Sequence, residues 1–89
     1  MSEIDIVEEW MSDLRAELNL TGLEDMDVME MLKVVREVAH GVIHPAAPLS
    51  MFVAGYAAAL GGGSSKEVER ILARISELAQ GFAAKRSDA

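Results

Sequence analysis

An all-α domain, a compact four-helix bundle with a central apolar third helix, is the fold class that this sequence predicts. Three observations lead there. Apolar residues recur at three- and four-residue spacing in four stretches. Those stretches are divided by "NLTGLED", "HPAAP" and "GGGSS", all rich in turn residues. No stretch alternates apolar and polar residues as a half-buried strand would. The 89 residues amount to one domain.

The first helix is expected over residues 3–18. Val7, Trp10, Met11, Leu14 and Leu18 form its apolar stripe, with Trp10 filling the core, and Glu8, Glu9, Asp13 and Glu17 lie opposite. Asp5 and the neighbouring glutamates suit its positive N-terminal end. Gly22 marks the turn that follows. The second helix spans 27–42. Asp27 and Glu30 have capping-box spacing. Its predicted core face is Val28, Met31, Leu32, Val35, Val38, Ala39 and Val42, with Lys33, Glu37 and His40 on the other side. Gly41 suits a left-handed C-terminal cap, and Pro45 discourages helix at the residue before it.

The third helix, residues 49–60, is apolar nearly all round, which predicts burial on several sides. Ser50, Ala54, Ala58 and Gly62 repeat every four residues and let another helix approach closely. The fourth helix, 65–83, opens on a second capping box, Ser64 with Glu67. It buries Val68, Ile71, Leu72, Ile75, Leu78, Ala79 and Phe82. The tail, 84–89, is expected to fray.

Charge and composition narrow the function. The net charge is −7 at pH 7, and between Glu3 and Glu30 the only base is Arg15. Such a chain repels phosphate backbones, so nucleic acid is not an expected partner. The uncharged segment 45–65 has its dense apolar part only in 49–60, too short for a membrane span. "MSEIDIVEEW" has neither the basic start nor the apolar run of a signal peptide, so a cytoplasmic location is expected. With no cysteine, disulfides and thiolate metal sites are ruled out.

Both histidines and both prolines fall within "VAHGVIHPAAPLSMF". His40, His44, Pro45 and Pro48 are therefore the candidate binding residues. On a continuous helix, His40 and His44 would share a face and Glu37 would add a third zinc ligand. Pro45 works against that geometry at His44, and there is no "HExxH". The structural reading is a rigid elbow: His40 latches free carbonyls at a helix end, and Pro45 and Pro48 stiffen an extended corner. No metal and no cofactor are expected. Nor is an enzyme: Ser50 lacks a "GxSxG" setting, "GGGSSK" lacks phosphate-loop spacing, and "LEDMDVME" lacks the loop glycine of a calcium-binding hand. Met29, Met31 and Met51 fill the core or make an adaptable contact surface.

"VAHGVIHPAAPLSMFVAGYAAALGG", preceded by "EEWMSDLRAELNL", resembles a family of small uncharacterised actinobacterial domains. These occur alone or beside nucleotidyltransferase domains of the molybdenum cofactor guanylyltransferase type. The likeness rests on His40, Gly41, Val42, Pro45, Ala46, Ala47, Pro48 and Leu49 and on the Trp10 region. His44 departs from the pattern, where an arginine or another polar residue is expected. The resemblance implies an association with molybdopterin guanine dinucleotide biosynthesis. It carries over no catalytic residue.

The expected role is that of a non-enzymatic accessory or interaction domain, with a molybdenum cofactor nucleotidyltransferase as its partner. The alternatives are a small-ligand or metal-binding protein using the corner from His40 to Pro48, and a self-associating unit. A homodimer is favoured because so small a core is marginal alone.

Overall fold

The computed structural model describes residues 1–87 and is an all-α four-helix bundle. Its elements are α1 (Glu3–Glu17), α2 (Val28–Gly41), α3 (Ala46–Leu60) and α4 (Ser65–Ser87). No helix among the described residues is long and apolar enough to cross a membrane.

Side-chain caps start three of the helices. The Ser2 hydroxyl accepts from the Asp5 N–H at 3.2 Å, and the Asp5 carboxylate accepts from the Ser2 N–H at 3.2 Å, so a full capping box opens α1. Asp27 accepts from the Glu30 N–H, and Ser64 from the Glu67 N–H, each at 3.1 Å. Here only half of each expected box forms. Glu30 lies 3.9 Å from the Lys33 ammonium, and Glu67 pairs with Arg70, so neither carboxylate turns back to its cap. At the far end of α1, Asn19 takes a left-handed conformation (φ 55°). Asparagine tolerates this better than most residues. Gly22 (φ 92°) then makes the expected turn.

The elbow differs from its expected form. Pro45 is in the helical region (φ −61°, ψ −21°), and α3 begins at Ala46 rather than at residue 49. The Ala46 and Ala47 N–H groups donate to the carbonyls of Ile43 and His44, each at 3.1 Å. Pro48 therefore falls in the first turn of α3, where its missing N–H breaks no intrahelical bond. The chain bends over Val42 to His44, ahead of the prolines. Helix α4 also outruns its expected stop: residues 84–87, predicted to fray, are helical. Residues 88–89 of that tail lie outside the described residues.

Helices α2, α3 and α4 share one thin core. One cluster holds Val34, Val38, Ala47, Leu72 and Ala79, and a second holds Ala54, Ala58 and Ile71. Half of these buried residues are alanines, so the helices pack closely over little side-chain volume. Val34, only 1% exposed, is the most deeply buried large side chain, and the predicted core face had left it out in favour of the half-buried Val35.

The seam between α2 and α4 is close at Gly41. A Cβ there would lie 2.8 Å from the carbonyl oxygen of Ala79. Gly41 thus belongs to the helix itself and is not a left-handed cap. What its position requires is close backbone approach. Further along the seam, Glu37 is half-buried and faces α4, contrary to its predicted outward position. Its Oε2 accepts from the Ser76 hydroxyl at 2.5 Å and from the Gln80 amide at 3.1 Å. Those two donors, with a smaller contribution from Lys33, hold its carboxyl below the usual carboxylate range despite some desolvation.

Helix α1 stands apart from this core and buries no residue. Its half-buried apolar residues are Ile4, Val7, Met11 and Leu14, and Met11 shares a hollow with the body. Trp10, predicted to fill the core, is 60% exposed, and Leu18 points outward too. The inward stripe is rotated toward Ile4, which leaves both outside it.

Two expectations test the seam. Gly41→Ala should lower the unfolding free energy in urea by about 1–3 kcal/mol, the range for an overpacked contact. Gly81→Ala, where a Cβ meets nothing within 4 Å, should instead raise it by up to ~1 kcal/mol through helix propensity. Glu37 has a depressed folded pKa, so its stabilisation is complete above the ordinary carboxylate pKa and is lost as pH falls through the folded value. Glu37→Gln should therefore unfold at lower urea than the parent at pH 7, and the two midpoints should converge in acid.

Candidate functional site

The residues that the sequence singles out sit together at the elbow, on the surface. His40, His44, Pro45 and Pro48 are all exposed. The two imidazoles meet edge to face, with ring centroids 6.0 Å apart and planes at 65°. His40 thus faces a second ring instead of latching helix-end carbonyls. The spacing that would recruit Glu37 as a third metal ligand does not survive folding, because Glu37 is committed to Ser76 and Gln80 on α4. Among the described residues no group of three or more histidine, aspartate or glutamate side chains is placed to hold a metal ion. Beside His40 the surface has only a shallow depression shared with Gly41, Val42, Ile43, Ala83 and Arg86.

The more informative surface is the outer face of α3. The all-round apolar character of this helix predicts enclosure, but the structure covers one side only. Ala47, Ala54 and Ala58 are buried, the latter two in one cluster with Ile71 of α4. The repeat of small residues is thus an intramolecular contact. Ser50 is half-buried, and Gly62 lies beyond the helix at φ 105°. On the opposite side, Leu49, Phe52, Val53, Tyr56 and Leu60 are between 63% and 75% exposed. Their spacing puts them on one continuous stripe.

These side chains present on the order of 700 Å² of mostly apolar surface, above the roughly 300–600 Å² of the largest patch on a typical monomer. The whole chain shows the same surplus. Its accessible surface is 6548 Å², against about 5,100 Å² for a folded monomer of its mass. The shape explains this. The fold measures 46 × 33 × 17 Å and has a radius of gyration of 14.1 Å, where about 12 Å is usual for its length. Helices α2 and α4 pack on one side of α3 only, so its other side is left uncovered.

A second apolar feature lies on the inner side. A hollow of about 450 Å³ opens between α1, the 18–27 connection and the three-helix core. Met11, Met26, Met31 and Met51 converge on it from four different segments. Met29, grouped with Met31 and Met51 by sequence, points away from it and is exposed. The signal for this hollow was present as methionines scattered along the chain. Only the path of the 18–27 connection brings Met11 and Met26 to the other two.

A family model, "Domain of unknown function (DUF6457)", matches residues 2–87. No curated protein and no solved structure matches the chain.

The elbow geometry yields a direct expectation. Two imidazoles without a third protein ligand give a weak metal site, so elemental analysis after dialysis against micromolar zinc should find no stoichiometric metal. His40→Ala should leave that result unchanged.

Proposed function

We propose that this chain, which belongs to the DUF6457 family, is a non-enzymatic interaction domain that docks on a partner protein through the outer face of α3. The observation that carries the reading is the stripe from Leu49 to Leu60: five large apolar side chains exposed on a helix that bears no charge. The core beneath is half alanine, so much of the bulky apolar surface that would normally stabilise a domain is left on its outside. Covering the stripe would remove from water about as much area per partner as a standard protein interface does, roughly 800 Å². Phe52 and Tyr56 lie near its centre and would supply the aromatic anchors on which such interfaces depend.

The proposed partner is a nucleotidyltransferase of the molybdenum cofactor guanylyltransferase type. Support for that choice is the sequence resemblance, which pairs similar domains with such enzymes. In this reading the domain contributes no reacting group and acts by binding.

A second reading, self-association through the same face, is favoured by the symmetry of the stripe. An antiparallel copy of α3 would set Leu49 against Leu60 and Val53 against Tyr56, with no like charges opposed. Two-fold homodimers are also the commonest assembly.

Phe52→Glu combined with Tyr56→Glu separates these outcomes from a folding defect. Both positions are exposed, so the variant should unfold within about 0.5 kcal/mol of the parent. Its capture of the co-expressed nucleotidyltransferase should fall at least about tenfold, since each lost anchor costs 1–2 kcal/mol or more. Light scattering of the parent at high micromolar concentration reads self-association: twice the monomer mass, lost in the variant, establishes the second reading. A monomeric parent that captures the enzyme no better than the variant does would overturn both.

A further inference from the structure

The methionine-lined hollow borders the α3 stripe but uses other residues of that helix, Met51, Ala54, Gly55, Ala58 and Ala59, and its chemistry points to a different ligand. Its lining offers dispersion contacts and almost nothing else, with Thr21 the one hydroxyl side chain among the described lining residues. Four of the chain's six methionines meet there. Methionine is unbranched and polarizable, so such a surface adapts to apolar side chains of varied shape. The floor is rigid by contrast: Ile71 and Leu72 of α4 belong to the buried core.

The margins are acidic. One flank, continuing from Met26 and Met31, carries Asp25, Asp27, Glu30 and Glu69. The other, continuing from Met11 and Met26, carries Glu8 and Glu24, with Arg15 as its one base. Some of this charge has local partners: Asp27 caps α2, Glu30 faces Lys33, and Glu24 accepts from the Gly22 N–H at 2.8 Å. Even so, acids outnumber bases on both sides. A ligand with an apolar body and an anionic head, such as a fatty acid, would meet like charge at either margin. One with apolar groups flanked by cations meets complementary charge on both.

A helix with leucine-like residues at three- and four-residue spacing, bordered by lysine or arginine, has this composition. We propose that the hollow is a docking groove for a basic amphipathic helix of a partner protein. The apolar side chains of that helix enter between the four methionines, and its cations lie against Asp25, Glu69 and Glu8.

Methyl-labelled methionine provides the test, with Met29 as an internal control on the same protein. The probe is a synthetic amphipathic helix of leucine and lysine, roughly fifteen residues long. Its controls are the same peptide with glutamate for lysine and with serine for leucine. The expected result is that the methyl resonances of Met11, Met26, Met31 and Met51 move on titration while that of Met29 stays. Both control peptides should bind at least about tenfold more weakly, and added salt should weaken the probe. Asp25→Lys with Glu69→Lys, two exposed positions that should not disturb folding, should weaken the probe by a similar factor. Phe52→Glu should leave the titration unchanged, so loss of the α3 reading and loss of this one are distinguishable. The proposal is overturned if the four methyls do not move or if the serine-for-leucine or glutamate peptide binds as well as the probe. It is also overturned if the methyls move with protein concentration alone, which would make the occupant a second copy of the chain.

Discussion

The backbone of α2 touches the backbone of α4 at Gly41, and the rest of the fold is arranged around that approach. Because no Cβ intervenes between Gly41 and the Ala79 carbonyl, the two helices come close enough for small residues to fill the space between them. Val34, Val38, Leu72 and Ala79 then cluster in the core between them, and Glu37 can reach the Ser76 hydroxyl and Gln80 amide across the seam. The same closeness limits what the interior can hold. Helix α3 lies against the α2–α4 pair with Ala47, Ala54 and Ala58 inward and Met51 packed against the core beside them. Bulky residues are displaced to its other side. The exposed stripe of α3 is therefore a geometric consequence of a tight seam.

Seen this way, the domain has two unequal parts. The three-helix slab is well specified, with capped starts for α2 and α4 and a polar contact that fixes their relative position. Helix α1 and the connection after it form a softer margin, laid over the slab along a half-buried stripe. The methionine hollow lies at the boundary between the two. A rigid floor and an adaptable rim are a reasonable combination for receiving apolar side chains of variable shape, and five of the ten acids of the first thirty residues, Glu8, Glu24, Asp25, Asp27 and Glu30, lie on its flanks.

Much of the fold could be read from the sequence, because its helices are punctuated by local chemistry. Asp27, Ser64, Gly22 and the triple glycine act within a few residues of themselves, so the breaks and starts they dictate are visible in one dimension. Burial was less legible. An all-apolar helix reads as enclosed, but whether neighbours cover all of α3 depends on how many helices reach it. Val34 and Val35 are equally apolar, and only the direction of α4 decides between them. Glu37 looks like a solvent-facing acid until Ser76 and Gln80, on the far side of the chain, are placed opposite it. At the elbow, local rules favoured an extended Pro45–Pro48 corner. The helix instead begins just after Pro45, since both prolines fit where a first turn needs no donors. The histidine pair was conspicuous in composition, while the larger surfaces of the molecule, one made of ordinary leucine, valine and aromatics and the other of dispersed methionines, had no motif to announce them.

Because α1 buries nothing, its attachment has a kinetic meaning. Contacts that exclude little water are released at small free-energy cost, so α1 can leave and rejoin the slab many times for every global unfolding event. Its amide protons should exchange with solvent much faster than those of Val34 or Leu72. Local opening of α1 would also lift Met11 away from Met26, Met31 and Met51 and widen access to the hollow they share.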